Sequence, residues 1–124
     1  MTTQQVADKY HELAQQNKWK EITETLYHDD IICIEPPNSK SPPETKGKEA
    51  VRQKGKHFES IIETTHSAYS TIPIVAGNLF AVGLGQDVTI KGAGRNKFDE
   101  FGIFTIENGK IVKEEFIMQW NDGK

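Results

Sequence analysis

The chain has 124 residues and a mass of 14.0 kDa, the size of one domain, and its 35% hydrophobic share is enough for one modest core and not for two. With 15 Lys and Arg against 18 Asp and Glu, a net charge of −3 and a pI near 5.8, it offers no general case for nucleic-acid binding, and no apolar run approaches a membrane span. Cys33 is the single cysteine, which excludes an internal disulfide framework and a multi-thiolate zinc site; the opening MTTQQVADKY lacks the basic-then-apolar order of a signal peptide, so a cytoplasmic location is expected.

The first third reads as helix. Val6, Tyr10 and Leu13 recur at i, i+4 and i+7, Ala7 and Ala14 widen the stripe, and Thr2 or Thr3 can cap its start. Asn17 breaks this helix and can cap a second, in which Trp19, Ile22 and Leu26 share a face. Ile31-Ile32-Cys33-Ile34 is a β-branched run and predicts a strand ending at Glu35-Pro36-Pro37. Residues 36–46 hold four of the five prolines and predict a surface loop. Gly47 opens a third helix with an inner stripe of Val51, Gly55, Phe58 and Ile62. Glycine is a poor helix former, so its place on that stripe predicts a neighbour approaching closely.

From Thr64 the period changes to 2. His66, Ala68, Ser70, Ile72 and Ile74 alternate onto one strand face, and Gly77-Asn78 turns the chain. Phe80, Val82, Leu84, Val88 and Ile90 form the apolar face of a long strand. Its other face carries Ala81, Gly83, Gly85, Asp87 and Thr89, small residues that fit a bent sheet or a closely packed surface. A turn at 92–96, a strand at 98–107, the hairpin turn Asn108-Gly109 and a last strand at 110–120 complete the pattern. Helices first and an antiparallel meander of four long strands afterwards predict one α+β domain over residues 1–124, with the helices on one face of a curved sheet.

Several motifs lack the context their chemistry needs. Gly83-Leu84-Gly85 has the first two glycines of a dinucleotide fingerprint, but position 88 is Val and no helix follows. His11, His28, His57 and His66 show no paired metal spacing, no Gly-x-Ser-x-Gly elbow occurs, and Cys33 in mid-strand reads as a small buried hydrophobe. Lys46, Lys48, Arg52, Lys54 and Lys56 read as a solvated helix face, with anion binding as the alternative. A two-residue turn at Asn108-Gly109 pairs Gly102 with Glu115 and Glu100 with Ile117, which puts Glu100 and Glu115 on one face, with Arg95 or His66 as a partner. Asp99 then faces the other way with Phe101, Ile103 and Phe116.

The strings Leu26-Tyr27-His28-Asp29-Asp30, Ile34-Glu35-Pro36, Val75-Ala76-Gly77-Asn78, Asp99-Glu100-Phe101 and Asn108-Gly109-Lys110-Ile111-Val112 with Glu114-Glu115-Phe116, together with Gly47 ahead of the third helix, resemble the SnoaL-like family of the nuclear transport factor 2-like superfamily. The resemblance runs from about residue 4 to residue 120. It implies a cone in which a curved, mainly antiparallel sheet wraps the N-terminal helices, a cystatin-like α+β roll with an apolar pocket at its open end. The superfamily includes ketosteroid isomerase, polyketide cyclases, dehydratases and non-catalytic binding or dimerisation modules, so the fold alone does not decide function. Against ketosteroid isomerase, Tyr10 matches the oxyanion tyrosine, Glu35-Pro36 the general-base aspartate and its proline, and the stretch Asp99 to Phe101 the protonated acid.

The expectation is a pocket for a small hydrophobic or carbonyl-bearing molecule and proton transfer next to its carbonyl: an isomerase, cyclase or dehydratase with no metal or other cofactor. Glu35 is the base, in a setting where burial disfavours its charge, and Tyr10 and Glu100 stabilise the enolate oxygen. Phe58, His66, Asp87, Glu115 and Trp120 line the site, which lies near Gly55 between the third helix and the sheet. Three helices do not cover both faces of the meander, so a homodimer packed through the sheets is expected, without nucleic acid or membrane as partners. The alternative is a non-catalytic ligand-binding or homodimerising module.

Overall fold

The structure, a computed structural model, describes residues 1–37, 39 and 41–118. Helix α1 (Thr3–Gln15) starts from a reciprocal cap: Thr2 Oγ1 accepts the Gln5 N–H at 3.1 Å and Gln5 Oε1 accepts the Thr2 N–H at 2.9 Å. Asn17, at φ 58°, ends that run in the left-handed region that asparagine tolerates. It does not cap α2 (Trp19–Leu26). Lys18 takes the cap position, and the Asn17 side chain accepts the indole N–H of Trp19.

Helix α2 passes directly into β1 (Tyr27–Ile34), which starts earlier than its β-branched run suggests. The proline-rich loop is not all loop: β2 (Glu44–Lys46) pairs antiparallel with β1. Gly47 stands at φ 90°, a conformation that favours glycine, gives its N–H to Ile31 O at 2.7 Å and opens α3 (Lys48–Ile61). There follow β3 (Ile62–Ser70), β4 (Ile74–Ala76), β5 (Leu79–Ile90), β6 (Gly94–Glu107) and β7 (Lys110–Met118). The sheet runs β2-β1-β7-β6-β5-β3, with β4 on β5. Every pairing is antiparallel except β1 with β7, which is parallel. The α+β class holds: three helices lie against a curved, unclosed sheet. Among the described residues no helix is long and apolar enough to cross a membrane.

Helix α1 supplies the centre of the core. Val6, Tyr10 and Leu13 are buried against Phe80 and Val82 of β5, Phe104 of β6 and Ile111 of β7. The Tyr10 ring lies 4.6 Å from Phe104 and 5.6 Å from Phe80, and those two stack at 4.6 Å. Such rings dominate core energetics through their buried area. Helix α3 buries only Val51 of its expected stripe, and a side chain built at Gly55 meets nothing within 4 Å. The close approach expected at Gly55 is therefore absent.

The Asn108-Gly109 turn is the expected one, with φ 50° and 77°. The register beyond it is not. Ile106 pairs with Ile111 and Thr105 with Lys113, so Val112 bulges out. Phe104 then faces Glu114, Gly102 faces Phe116 and Glu100 faces Met118. This one-residue slip exchanges faces: Glu114 and Phe116 turn to the concave side, and Glu115 to the convex side. A second bulge in β3 lies between Thr65 and Ser67, at His66.

Candidate active site

Beyond the aromatic core, the concave side carries a cluster of polar side chains from five elements. Near the end of strand β1 Cys33 points inward, and Glu35 stands one residue past the strand's last, Ile34. Glu35 is held there by its backbone N–H, which donates to Pro43 O at 3.0 Å. Strand β6 supplies Glu100, β7 supplies Glu114, α1 supplies Tyr10 and α3 supplies Lys54.

Lys54 donates to Glu35 Oε1 at 2.8 Å and to Cys33 Sγ at 3.0 Å, and the Cys33 thiol lies 3.6 Å from the same carboxylate oxygen. Burial acts to lower the Lys54 pKa, but its contacts with Cys33 and Glu35 outweigh that and raise it, so Lys54 is an ammonium at neutral pH. Burial, and then the charge of Glu114, push the Cys33 thiol up, so it is neutral there. The solvated helix face expected of the lysines thus does not extend to Lys54. Its position three residues after Val51 puts it on the inner side of α3.

Behind this pair, Tyr27 donates a hydrogen bond to Glu114. Burial pushes the Glu114 carboxyl up, against the hydrogen bonds of Tyr27 and Cys33, which favour its charged form. Burial likewise raises Tyr27 and Tyr10 well above the ordinary tyrosine value; at Tyr10 the charges of Glu114 and then Glu100 add to it. Both hydroxyls remain protonated donors. Glu100 carries the telling shift. Burial first, then the nearby charges of Glu35 and Glu114, push its carboxyl up to about 7, with Lys54 acting the other way. A carboxyl in that range is half protonated at neutral pH and can give or take a proton.

Of the residues expected from sequence, Tyr10, Glu35 and Glu100 come together on the concave side. Phe58 stands on α3, 37% exposed, with its ring edge-on to Phe98 of β6 at 6.3 Å. Three others do not reach the cluster. His66 is turned outward by the β3 bulge and meets Thr89 Oγ1 at 2.7 Å. Asp87 takes the Arg95 fork on the convex side, with Nε and one terminal nitrogen at 2.9 and 2.8 Å; that pairing lowers its carboxyl pKa. Glu115 pairs with Lys113 at 3.0 Å, also outside. The small-residue face of β5 is this convex face: the Tyr69 ring lies across Gly85, and Thr71 accepts the Gly83 N–H at 2.8 Å. Trp120 lies outside the described residues.

Sequence reading missed Tyr27, Glu114 and Lys54. Only Lys54 had a signal, its helical spacing from Val51. Two concavities also open on the convex side, one of about 450 Å³ between Ile32, Thr105 and Val112, and one of about 360 Å³ between Tyr69, Phe101 and Ile117. Neither contains Glu35 or Tyr10, but Glu100 is among the residues that line the second.

A family model described as a SnoaL-like domain matches residues 1–118. A solved structure of a candidate SnoaL-like polyketide cyclase, also labelled carbohydrate phosphatase, from Mesorhizobium loti is 35% identical, with 94% of this chain and 99% of that chain covered and a TM-score of 0.86. A protein of unknown function with a cystatin-like fold from Xanthomonas campestris is 19% identical over 97% of this chain and 92% of its own, with a TM-score of 0.79. An NTF2-like protein of unknown function from Burkholderia pseudomallei is 16% identical over 96% and 92%, with a TM-score of 0.75. The last two likenesses bear on fold alone. No curated protein matches the chain.

Proposed function

Because the chain belongs to the SnoaL-like family, whose model spans residues 1–118, we propose that it binds a small hydrophobic carbonyl compound on the concave side of its sheet and moves a proton next to that carbonyl. Glu35 takes the proton from the α-carbon. Tyr10 and Glu100 give hydrogen bonds to the oxygen as it becomes an enolate, and the proton returns at another carbon or the enolate reacts onward. Phe58 and Phe98 flank the approach and suit an apolar or ring-bearing body. Isomerisation, cyclisation and dehydration all share this first step.

The observation that carries the reading is Glu100. Its carboxyl, raised to about 7 beside a protonated tyrosine, is a donor that ordinary carboxylates cannot be at neutral pH. The test is deuterium wash-in from heavy water at the α-carbon of aryl ketones and cyclic enones, followed by proton NMR. Glu35→Gln should lose exchange about 100-fold or more, and Tyr10→Phe and Glu100→Ala about 10- to 1,000-fold, with ketone binding retained. Ketone binding by the wild type without exchange would instead establish the second reading, a non-catalytic binding module.

Association belongs to the same proposal. The convex face presents Phe101, 61% exposed, beside its cross-strand partner Ile117, 54% exposed, with Tyr69 adjoining. A second copy brings the same patch about a two-fold axis and covers it, so we assign the protein as a homodimer with the two concave sites facing outward.

A further inference from the structure

We propose that Lys54 is a positioning residue of the concave site: reaching in from α3, its ammonium fixes the Glu35 carboxylate and ties it to Cys33, so that the base is in place only while α3 is seated on the sheet. This rests on the reading of Glu35 as the base.

The case begins with how α3 is held. A fourteen-residue helix with one buried side chain has little apolar grip. Beside the edge-on contact of Phe58 with Phe98, its other ties are polar. Arg52 forks onto Glu24 of α2 at 2.6 and 3.1 Å, and Lys48 donates to Glu24 O at 3.0 Å, both at the exposed surface. The Lys54 contact is the one that reaches the interior, with side chains only 24% exposed at Lys54 and 14% at Glu35. An ion pair so sheltered is screened less than the surface ones, and losing one partner leaves the other charge exposed to its neighbours.

Those neighbours are acidic. Glu35 shares the concave side with Glu100 and Glu114, with the Tyr10 and Tyr27 hydroxyls and the Cys33 thiol between them. Among the described residues Lys54 is the one basic side chain in contact with this group. Glu35 stands past the end of β1, where no ladder fixes its side chain, and like charge from the other two carboxyls favours its swinging away. The two Lys54 contacts, at 2.8 and 3.0 Å, hold it against that push and orient it by reference to the rigid Cys33 position on β1. The same bond attaches α3 to the strand end, so the seating of the helix and the placing of the base are one event.

Lys54→Met keeps the length of the aliphatic stem and removes the charge. In the ligand-free protein, amide hydrogen exchange over α3 should quicken about tenfold while α1 is unchanged, and the ¹³C carboxyl signal of Glu35 should move to that of an exposed glutamate. Lys54→Arg should restore both. With an aryl ketone that the wild type exchanges, Lys54→Met should slow α-carbon exchange about tenfold or more and leave ketone affinity within about twofold. Should Lys54→Met fail to fold, Glu35→Gln removes the other half of the pair and must quicken α3 exchange in the same way. Unchanged α3 exchange and an unmoved Glu35 signal in Lys54→Met overturn the proposal, as does an arginine variant as disturbed as the methionine one. A wild type with no ketone exchange removes Glu35 as the base but leaves the ligand-free measurements to decide the ion pair, so the two failures are told apart.

Discussion

Holding Glu100 in the interior costs the folded chain stability whenever that carboxyl is ionised, because the charge is desolvated and faces Glu35 and Glu114. Its pKa is about 7 in the folded protein against an ordinary 4.5. The native state therefore binds more protons than the unfolded chain between those values, and stability falls as pH rises through that window, then levels above it. The drop attributable to Glu100 is on the order of 3 kcal/mol. Burial of Glu114 acts in the same direction. Exposed pairs such as Asp87 with Arg95 act the opposite way, losing their contribution at lower pH as the carboxylate protonates, and count for little. Urea melts from pH 4 to pH 8 should show the fall in the wild type, and Glu100→Gln should flatten it, with the variant the more stable of the two at pH 8. Parallel pH profiles for the two proteins would mean that Glu100 titrates normally.

Helices and strands differ in how openly their sequence declared them. The periodicity of α1 placed Tyr10 inward correctly, because a helix face depends only on spacing along one element. Strand β7 did not yield to the same logic: the bulge at Val112 is set by how two strands meet, and nothing in Lys110-Ile111-Val112-Lys113 announces it. That single unreadable residue is why Glu115 stood in for Glu114, and the β3 bulge is why His66 was read as inward. Tyr27 was hidden for a related reason, since β1 grows out of α2 without a break. The glycines make the contrast testable. Gly55 sits in open space on a helix, so Gly55→Ala should raise stability by about 0.5–1 kcal/mol through helix propensity. At Gly85 a Cβ would stand 2.1 Å from a Tyr69 ring carbon, so Gly85→Ala must displace that ring from its 2.6 Å hydrogen bond to Asp99. It should cost about 1–3 kcal/mol. Chemical denaturation of both variants checks the pair of signs, and a stabilising Gly85→Ala would refute the role of the ring.

Taken whole, the molecule gathers its buried polar cluster on one side of a sheet and exposes the patch of Phe101 and Ile117, among surface ion pairs, on the other. If the convex face is the contact between two copies, light scattering at micromolar concentration should give twice the chain mass of 14.0 kDa. Phe101→Asp with Ile117→Asp should return the single-chain mass; an unaltered mass would place the contact elsewhere. The parallel join of β1 to β7 has a different consequence. Tyr27 and Glu114 lie 87 residues apart, yet they meet through it. During synthesis β1 leaves the ribosome long before its neighbour exists, and β6 waits with it, so two strand edges stand open across a gap one strand wide. Topologies built on such distant contacts fold slowly, and open edges invite mispairing while they wait. Strand β7 fills that gap and carries Glu114 to Tyr27, so a chain that ends before it has neither a finished sheet nor an assembled site.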